Sequence, residues 1–370
     1  MLNSRLHGVI AAGQSVWSDQ ISRPMIDSGE LTRRITEDGV SGVTSNPTIF
    51  ATAIGNGPDY DRRFKELASG GITDDEVATG LITADIQDAC DILRSVWEWS
   101  DGADGFVSVE VSPLVANNTE ATVAEARDWV KRIDRPNLLV KVPATKEGVT
   151  AIRKLISEGI SINVTLIFGL DRYAEVIDAY QQGLAEFGSA GGRLKVVNSV
   201  ASFFVSRVDS EVDKRLEKIG TDAALTLRGK AAIANALRAY RLFLDRFRSD
   251  EWLVLAQEGG RLQRPLWAST STKNPAYEDT MYVSGLVAPH TVNTMPLETI
   301  DAYQDHGQVL PLPFGRMEVE AAADTLEQLA AAGVDMADVT KTLEIEGVEK
   351  FAKSWHDLMA EIARKRSVLA

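Results

Sequence analysis

The stretch LLVKVPAT, residues 138–145, places a single lysine, Lys141, inside a short and otherwise apolar run. Short runs rich in leucine and valine are typical of strands that are buried on both faces of a parallel sheet. An ammonium group in such a strand is unfavourable unless it reaches water, pairs with a carboxylate or gives up its proton. The run therefore indicates either a lysine that escapes to solvent or one whose neutral amine is used.

Similar β-type runs alternate with helical patterns along the chain. The eight predicted strands are SVWSD (15–19), GVTSN (42–46), GFVSVEV (105–111), LLVKV (138–142), ISINVTLIF (160–168), KVVNSVASFF (195–204), RPLWAST (264–270) and MYVSGLV (281–287). Between them, segments such as 122–133 and 236–247 carry apolar residues at the three- and four-residue spacing of amphipathic helices. Eight βα units predict an α/β protein with a single closed (β/α)8 barrel of the TIM type over residues 1–370.

Two segments exceed what eight minimal βα units require. Residues 51–100 are long enough for extra helices after the second strand. VEKFAKSWHDLMAEI (348–362) reads as an amphipathic helix, because its apolar residues fall on one stripe. We expect this C-terminal amphipathic helix to pack on the outside or the end of the barrel.

Composition restricts the partners and the location. A net charge of −14 argues against a general binder of nucleic acid, which needs clustered lysine and arginine. The four histidines lack metal-ligand spacing, and the lone cysteine, Cys90, lies on an apolar helix face, so no metal is expected. The N-terminus lacks a signal-peptide pattern and no run has membrane-spanning length, which predicts a cytoplasmic protein without membrane contact. A homo-oligomer remains open.

Several predicted strands alternate between apolar and polar residues instead of reading as continuous apolar runs. In GFVSVEV the valines share one face, while Ser108 and Glu110 share the other. An antiparallel sheet with one solvated face would alternate in the same way, but the intervening helices argue against it. If the valines meet the helices, the polar side chains point into the barrel. The residues expected to converge there are Glu110, Lys141, Asn163 and Thr165.

A lysine inside a barrel has a clear chemical use. Its desolvated, neutral amine can attack a carbonyl and form a Schiff base. That chemistry also needs groups that carry protons, and Glu110 and Asp19 are the strand-borne carboxylates available. Either carboxylate taken alone could instead form a structural salt bridge. The presence of two carboxylates at strand ends favours catalysis.

Four segments, in this order, make the chain resemble the transaldolase family. VTSNPTIF (43–50) is similar to the family's Thr-Asn-Pro segment, and LLVKVPAT is similar to its Schiff-base strand. INVTLIF (162–168) is similar to its Asn-x-Thr strand, and SVASFFVSRVD (199–209) to its Ser-(x)4-Arg element. The residues after 310 resemble the longer, bacterial branch of the family.

The resemblance implies roles for individual residues. Lys141 would form the imine, and Asp19 would act as acid and base on the C4 hydroxyl of the sugar. Glu110 would shuttle protons with Thr165 through a water molecule. The residues that would hold the hydroxyls of the dihydroxyacetone unit are Asn46, Asn163 and Ser202.

Arg207 would bind the substrate phosphate, and its alternative is an ion pair on a helix face with Asp209 or Glu211. The better-known branch carries an arginine in a Ser-Phe-Arg-Asn element, where this chain reads STSTKN (269–274) with Lys273 in that place. If the seventh strand stays extended, Lys273 joins Arg207 at the phosphate. Otherwise it is a solvated loop lysine.

The activity implied by the resemblance belongs to the pentose phosphate pathway. A dihydroxyacetone unit would move from sedoheptulose 7-phosphate to glyceraldehyde 3-phosphate, giving erythrose 4-phosphate and fructose 6-phosphate. No cofactor would be needed, because the imine serves as the electron sink, and the partners would be small sugar phosphates.

Other functions remain open at this point. A fructose 6-phosphate aldolase would release dihydroxyacetone, although those relatives lack a carboxylate at the position of Glu110. A pyridoxal phosphate enzyme also needs a buried lysine and a phosphate site. A barrel that binds sugar phosphates without turnover is a third alternative.

Overall fold

Eight strands form the centre of the molecule, in a computed structural model that describes residues 4–55, 57–308 and 316–369. The strands are β1 Gln14–Ser18, β2 Val40–Val43, β3 Phe106–Glu110, β4 Leu138–Pro143, β5 Ile162–Ile167, β6 Ser199–Phe204, β7 Gln263–Ala268 and β8 Thr291–Met295. Each strand pairs in parallel with the next, and β8 pairs in parallel with β1, so the sheet closes into a barrel. The predicted (β/α)8 architecture is confirmed.

Helices surround the barrel and extend beyond the eight-unit minimum. They are α1 Leu6–Ala11, α2 Arg23–Asp27, α3 Glu30–Arg33, α4 Pro47–Gly55, α5 Asp61–Ala68, α6 Asp74–Ile92, α7 Arg94–Trp99, α8 Thr119–Ile133, α9 Lys146–Ile156, α10 Leu170–Ser189, α11 Ser206–Ile219, α12 Asp222–Leu225, α13 Ala231–Arg246, α14 Asp250–Gln257, α15 Met281–Ser284, α16 Leu297–His306, α17 Arg316–Ala331 and α18 Met336–Leu369. The extra helices predicted after the second strand are α4 to α7. None of the helices in the described ranges is both long enough and apolar enough to cross a membrane.

The predicted eighth strand is wrong. The run 281–287 begins with the short helix α15, and the strand that closes the barrel is TVNTM, β8. Val283 and Val287 still pack into a buried apolar cluster with Val16 of β1, so their apolar character reflects burial outside the sheet. The true strand was overlooked because polar residues make up most of it.

The predicted parity of the strands is confirmed. Glu110 lies opposite Lys141, and Lys141 lies opposite Asn163 in the strand registers. The Nζ atom of Lys141 is 3.3 Å from Oε2 of Glu110, which places both side chains inside the barrel. Val107 and Val109 belong to the main apolar core, and α6 packs against β3.

A large aromatic side chain occupies the barrel below the polar layer. Trp17 is fully buried, and a Cβ atom on Gly42 of the adjacent strand would lie 2.5 Å from its ring. A glycine at position 42 is therefore required for the tryptophan to fit. The Trp17 indole donates a hydrogen bond of 2.8 Å to Asp104, which fixes the ring.

The predicted C-terminal amphipathic helix lies within α18, which packs against α4 and reaches the carboxyl end of the barrel. A Cβ atom on Gly347 would lie only 3.0 Å from a methyl carbon of Leu166, just beyond the centre of β5. The hydroxyl of Thr48 on α4 donates a 2.6 Å hydrogen bond to Ser354. The expectation that this helix packs at an end of the barrel is confirmed. Residues 311–315 of the region after 310 lie outside the described residues.

Candidate active site

A cavity of about 230 Å³ opens at the carboxyl ends of the strands. Of the nine residues predicted from the sequence, those lining it are Asp19, Asn46, Lys141, Thr165, Ser202, Arg207 and Lys273. Glu110 contacts Lys141, and Asn163 contacts Ser202. The structure thus brings all nine residues together at one end of the barrel.

Lys141 is buried at the base of this cavity, with 5% of its surface exposed. Its ammonium group donates a 3.2 Å hydrogen bond to the main-chain carbonyl of Ser45 and lies 3.3 Å from Glu110. The contact with Glu110 is an ion pair without good hydrogen-bond geometry, because Glu110 Oε2 makes no hydrogen bond in the described structure. Lys141 therefore does not escape to solvent, and it is held with a carboxylate beside its amine.

Glu110 is the carboxylate placed to exchange protons with groups at Lys141. Burial raises its pKa to about 7, and the neighbouring Lys141 charge opposes that rise. A group with a pKa near 7 can both donate and accept a proton at neutral pH, as a proton shuttle must.

Asp19 follows β1 and faces the cavity from the side opposite β4 and β5. Its carboxylate accepts a 2.7 Å hydrogen bond from Thr44, whose hydroxyl also lies 2.8 Å from that of Thr294. Burial raises the pKa of Asp19, while Lys141 and the Thr44 hydrogen bond lower it. Thr44 was not predicted as a site residue, although its place in VTSN, two residues before Asn46, was a usable signal.

The polar residues of β5 and β6 form a connected layer. The side-chain amide of Asn163 donates a 3.0 Å hydrogen bond to the Ser108 hydroxyl. Its side-chain carbonyl oxygen accepts a 2.7 Å hydrogen bond from the Ser202 hydroxyl. Asn163 is fully buried and does not line the cavity itself. The Thr165 hydroxyl is also buried, and within the described residues it has no hydrogen-bond partner, so it can bind a small polar molecule.

Asn46 immediately precedes α4 and serves two purposes. Its side-chain oxygen accepts a 3.1 Å hydrogen bond from the Ile49 amide, and Pro47 occupies the first helical position, which is a typical helix start. The cap holds the Asn46 side chain at the cavity wall, where its amide group can face a ligand.

Arg207 lies at the start of α11 with its guanidinium carbon 5.0 Å from the Phe204 ring centroid and 5.8 Å from that of Phe351. Asp209 accepts hydrogen bonds from Tyr282 and the Ala232 amide, and Glu211 pairs with Arg215. In the described part of the chain no carboxylate lies within salt-bridge distance of Arg207. The alternative of a helix-face ion pair is therefore not observed.

Lys273 reaches the cavity by a different route from the one predicted. β7 ends at Ala268, and Ser269 has a φ of 57°, so the extended backbone does not persist to Lys273. The loop after β7 nevertheless brings Ser271 and Lys273 to the cavity. The Lys273 ammonium group donates a 2.7 Å hydrogen bond to the Ser271 hydroxyl. Although much of its side chain is exposed, desolvation at the cavity lowers the pKa of Lys273, and Lys350 and Arg207 lower it further.

Two further residues of the cavity come from α18 and were not predicted as site residues. Lys350 and Phe351 both line it, and the Phe351 ring centroid is 5.9 Å from Lys141 Nζ. The apolar stripe of 348–362 included Phe351, but nothing in the local pattern indicated that this stripe would face the barrel's mouth. Only the packing of α18 brings these two residues to Lys141.

A larger groove, of about 1010 Å³, lies at the opposite end of the barrel, before strands β4 to β7. Three cations on its walls pair with carboxylates, Arg135 with Asp91 and both Lys195 and Arg261 with Asp101. It lacks the buried lysine and carboxylates that converge in the smaller cavity. The smaller cavity is therefore the candidate active site.

A closed (β/α)8 barrel with ionisable side chains converging at the carboxyl ends of its strands defines the class of barrel enzymes. Within that class, residues 16–362 match the profile of the family described as Transaldolase/Fructose-6-phosphate aldolase. The chain belongs to this family.

Curated relatives agree over nearly the whole chain. A protein named Transaldolase from Thermobifida fusca is 52% identical over 365 residues, covering 98% of this chain and 99% of the relative. Others named Transaldolase are 50% identical over 360 residues in Mycolicibacterium smegmatis, covering 96% of each chain, and 52% identical over 361 residues in Parafrankia sp., covering 98% of each.

The raised pKa of Glu110 predicts how stability depends on pH. Its ordinary pKa is 4.5, so between pH 4.5 and about 7 the folded protein binds this proton more tightly than the unfolded chain does. The free energy of unfolding should therefore fall as the pH rises through this window, by up to about 3 kcal/mol for this group. Urea unfolding at pH 5 and pH 7.5 measures the fall, and Glu110→Gln should lose it.

Glu120→Gln is the matched control, because Glu120 is an exposed carboxylate on α8. It should keep the wild-type dependence on pH. Parallel curves for the wild type and Glu110→Gln would show that Glu110 is not the group responsible.

Proposed function

We propose that the chain is a transaldolase that transfers a dihydroxyacetone unit from sedoheptulose 7-phosphate to glyceraldehyde 3-phosphate through a Schiff base on Lys141. The observation that carries the proposal is the burial of Lys141 at the barrel's carboxyl end, 3.3 Å from Glu110 and in one cavity with Asp19. Relatives named Transaldolase, about half identical over nearly the whole chain, support the same reaction.

Imine formation uses Lys141 and Glu110. The neutral amine of Lys141 attacks the C2 carbonyl of the ketose, and the resulting carbinolamine loses its hydroxyl as water. Glu110 supplies the proton for that departure, and Thr165, whose buried hydroxyl is unpartnered within the described residues, helps to hold the water. Hydrolysis at the end of the cycle reverses these steps.

Carbon–carbon cleavage uses Asp19. Its carboxylate removes the proton from the C4 hydroxyl, the C4 carbonyl forms and the C3–C4 bond breaks. The electron pair of that bond moves into the iminium, which becomes an enamine on Lys141. The aldose leaves, an acceptor aldehyde binds in its place, and the enamine carbon attacks it while Asp19 returns the proton.

The remaining polar residues bind the substrate. Asn46 contacts the dihydroxyacetone hydroxyls with its amide group, and Ser202, tied to Asn163, presents its hydroxyl at the cavity wall. Arg207 can form a bidentate pair with the phosphate, while Lys273 acts as a point charge. We further propose that the protein acts in the cytoplasm on sugar phosphates and binds no nucleic acid.

The Phe351 ring favours transfer over release. Its centroid lies 5.9 Å from Lys141 Nζ, so the ring forms an apolar wall beside the enamine that persists until the acceptor aldehyde binds. An apolar wall keeps water away from an intermediate that hydrolysis would otherwise destroy. The free aldolase and the pyridoxal phosphate enzyme are not favoured.

The distribution of products tests this function. With fructose 6-phosphate and erythrose 4-phosphate supplied together, sedoheptulose 7-phosphate and glyceraldehyde 3-phosphate should form in equal amounts. With fructose 6-phosphate alone, release of dihydroxyacetone should be at least about tenfold slower, because the enamine is kept from water. Chromatography of the sugar phosphates measures both.

Two results would contradict the proposal. Equal rates of dihydroxyacetone release with and without the acceptor would indicate a free aldolase. Binding of fructose 6-phosphate without any product would indicate a barrel that only binds sugar phosphates.

A further inference from the structure

Helix α18 reaches the active-site cavity at one short segment. Gly347 allows the helix to approach Leu166 closely, since a Cβ atom there would lie 3.0 Å from a Leu166 methyl carbon. One turn further, Lys350 and Phe351 line the cavity. The Phe351 ring centroid is 5.9 Å from Lys141 Nζ and 5.8 Å from the Arg207 guanidinium carbon, so this segment lies between the reacting amine and Arg207.

Lys350 differs from four other cations of α18, and it shares with the exposed Lys341 the lack of a carboxylate at salt-bridge distance among the described residues. The four other cations are paired with carboxylates. These pairs are Lys353 with Asp357, Arg364 with Glu361, Lys365 with Asp61 and Arg366 with Asp74. Within the described ranges, Lys350 has no carboxylate at salt-bridge distance, and its strongest electrostatic neighbour is another cation, Arg207, which lowers the pKa of Lys350.

Three cations, Arg207, Lys273 and Lys350, therefore line one cavity, and among the described residues none of them lies at salt-bridge distance from a carboxylate. The carboxylate of Asp19 attracts Arg207 and Lys273 only from a longer distance. Lys273 hydrogen-bonds only to the Ser271 hydroxyl among the described residues, and Arg207 contacts aromatic rings. Like charges grouped around one cavity repel each other, so the grouping is unfavourable unless an anion binds among them. A bound dianion would reverse that repulsion and could accept hydrogen bonds from all three.

We propose that Lys350 is a specificity-determining residue, which binds the substrate phosphate together with Arg207 and Lys273. The inference rests on the proposed function for the identity of the phosphate compound. It assigns two tasks to adjacent residues of α18, because Phe351 forms an apolar wall near Lys141 while Lys350 supplies charge near Arg207. The C-terminal helix is then a working part of the active site.

Variants at Lys350 test the proposal, with inorganic phosphate and fructose 6-phosphate as the probes. Lys350→Met removes the charge but keeps a flexible side chain of similar length. It should raise the Kd for inorganic phosphate, measured by isothermal titration calorimetry, by about tenfold. It should raise KM for fructose 6-phosphate by a similar factor while kcat changes less than about twofold, because the phosphate lies away from the reacting carbons.

Two further variants separate charge from structure. Lys350→Arg should keep Kd and KM within about threefold of the wild type, because the cation is retained. Lys353→Met is the matched control, because Lys353 lies on the same helix, is largely exposed and pairs with Asp357. It should leave both constants unchanged, and kcat/KM for unphosphorylated fructose should be the same in Lys350→Met as in the wild type.

The proposal is overturned if the Kd of Lys350→Met for inorganic phosphate stays within twofold of the wild-type value. It is also overturned if the substitution lowers kcat/KM by the same factor for fructose and for fructose 6-phosphate. A matching loss in Lys353→Met would also overturn it, because the effect would then be a general one of charge on α18. Phosphate calorimetry decides the role of Lys350 even in a protein that shows no turnover. Borohydride trapping of an imine tests the proposed reaction separately.

Discussion

Lys141→Arg should abolish both turnover and the formation of a reducible imine. Arginine keeps the positive charge beside Glu110, but its guanidinium does not supply a neutral amine to attack a carbonyl. We expect kcat/KM for transfer from fructose 6-phosphate to fall by at least about a thousandfold, which corresponds to about 4 kcal/mol of lost transition-state stabilisation. Lys141→Ala should lower kcat/KM by as much. Because alanine removes the charge together with the amine, that variant alone does not separate the two effects.

The position of the imine must be measured, because three lysines line the cavity. Lys273 and Lys350 also lie among cations, and such neighbours favour the neutral form of an amine. Mass spectrometry after borohydride reduction with fructose 6-phosphate should place the adduct on the peptide containing Lys141. An adduct on either of the other lysines, or an active Lys141→Arg enzyme, would reject Lys141 as the nucleophile.

The second prediction with a large effect distinguishes the catalytic roles of the two carboxylates, Asp19 and Glu110. Asp19→Ala should still form the imine at a near-normal rate, because Glu110 and not Asp19 lies beside Lys141 Nζ. Cleavage should slow by about a hundredfold or more, since no other carboxylate is assigned to the C4 hydroxyl. Rapid-quench borohydride trapping measures imine formation, and steady-state release of the aldehyde measures turnover.

Glu110→Gln should show the opposite division. The amide has a similar shape but cannot donate a proton to the departing hydroxyl, so trapping itself should slow. Identical trapping kinetics in Asp19→Ala and Glu110→Gln would refute the separate roles. Circular dichroism and thermal unfolding of both variants serve as the folding control.

The class of fold could be predicted from local sequence alone. Strand and helix periodicities are properties of neighbouring residues, and eight alternating units leave few architectures that bury both faces of a parallel sheet. The predicted eighth strand was wrong because an apolar run indicates burial without saying whether the backbone is extended. Val283 and Val287 are buried against the barrel from outside it.

Much of the candidate site was also predicted, and for different reasons. Strand parity placed Lys141 and Glu110 on one face, because successive side chains of a strand point to opposite sides. The roles of Asn46, Ser202 and Arg207 came from the resemblance to a family, and these roles remain predictions. Lys273 was placed at the cavity for a reason that the structure corrects, since Ser269 ends the extended backbone.

The sequence by itself determined the alternation of strands and helices and the burial of a lysine among apolar residues, because these depend on contacts between near neighbours. The tertiary structure alone decided which distant segments complete the cavity. Phe351 approaches Lys141 across more than two hundred residues of chain, and only the close packing of α18 at Gly347 and Leu166 brings it and Lys350 there. Local periodicity shows that a helix has an apolar stripe, but the surface that the stripe covers depends on the shape of the whole barrel.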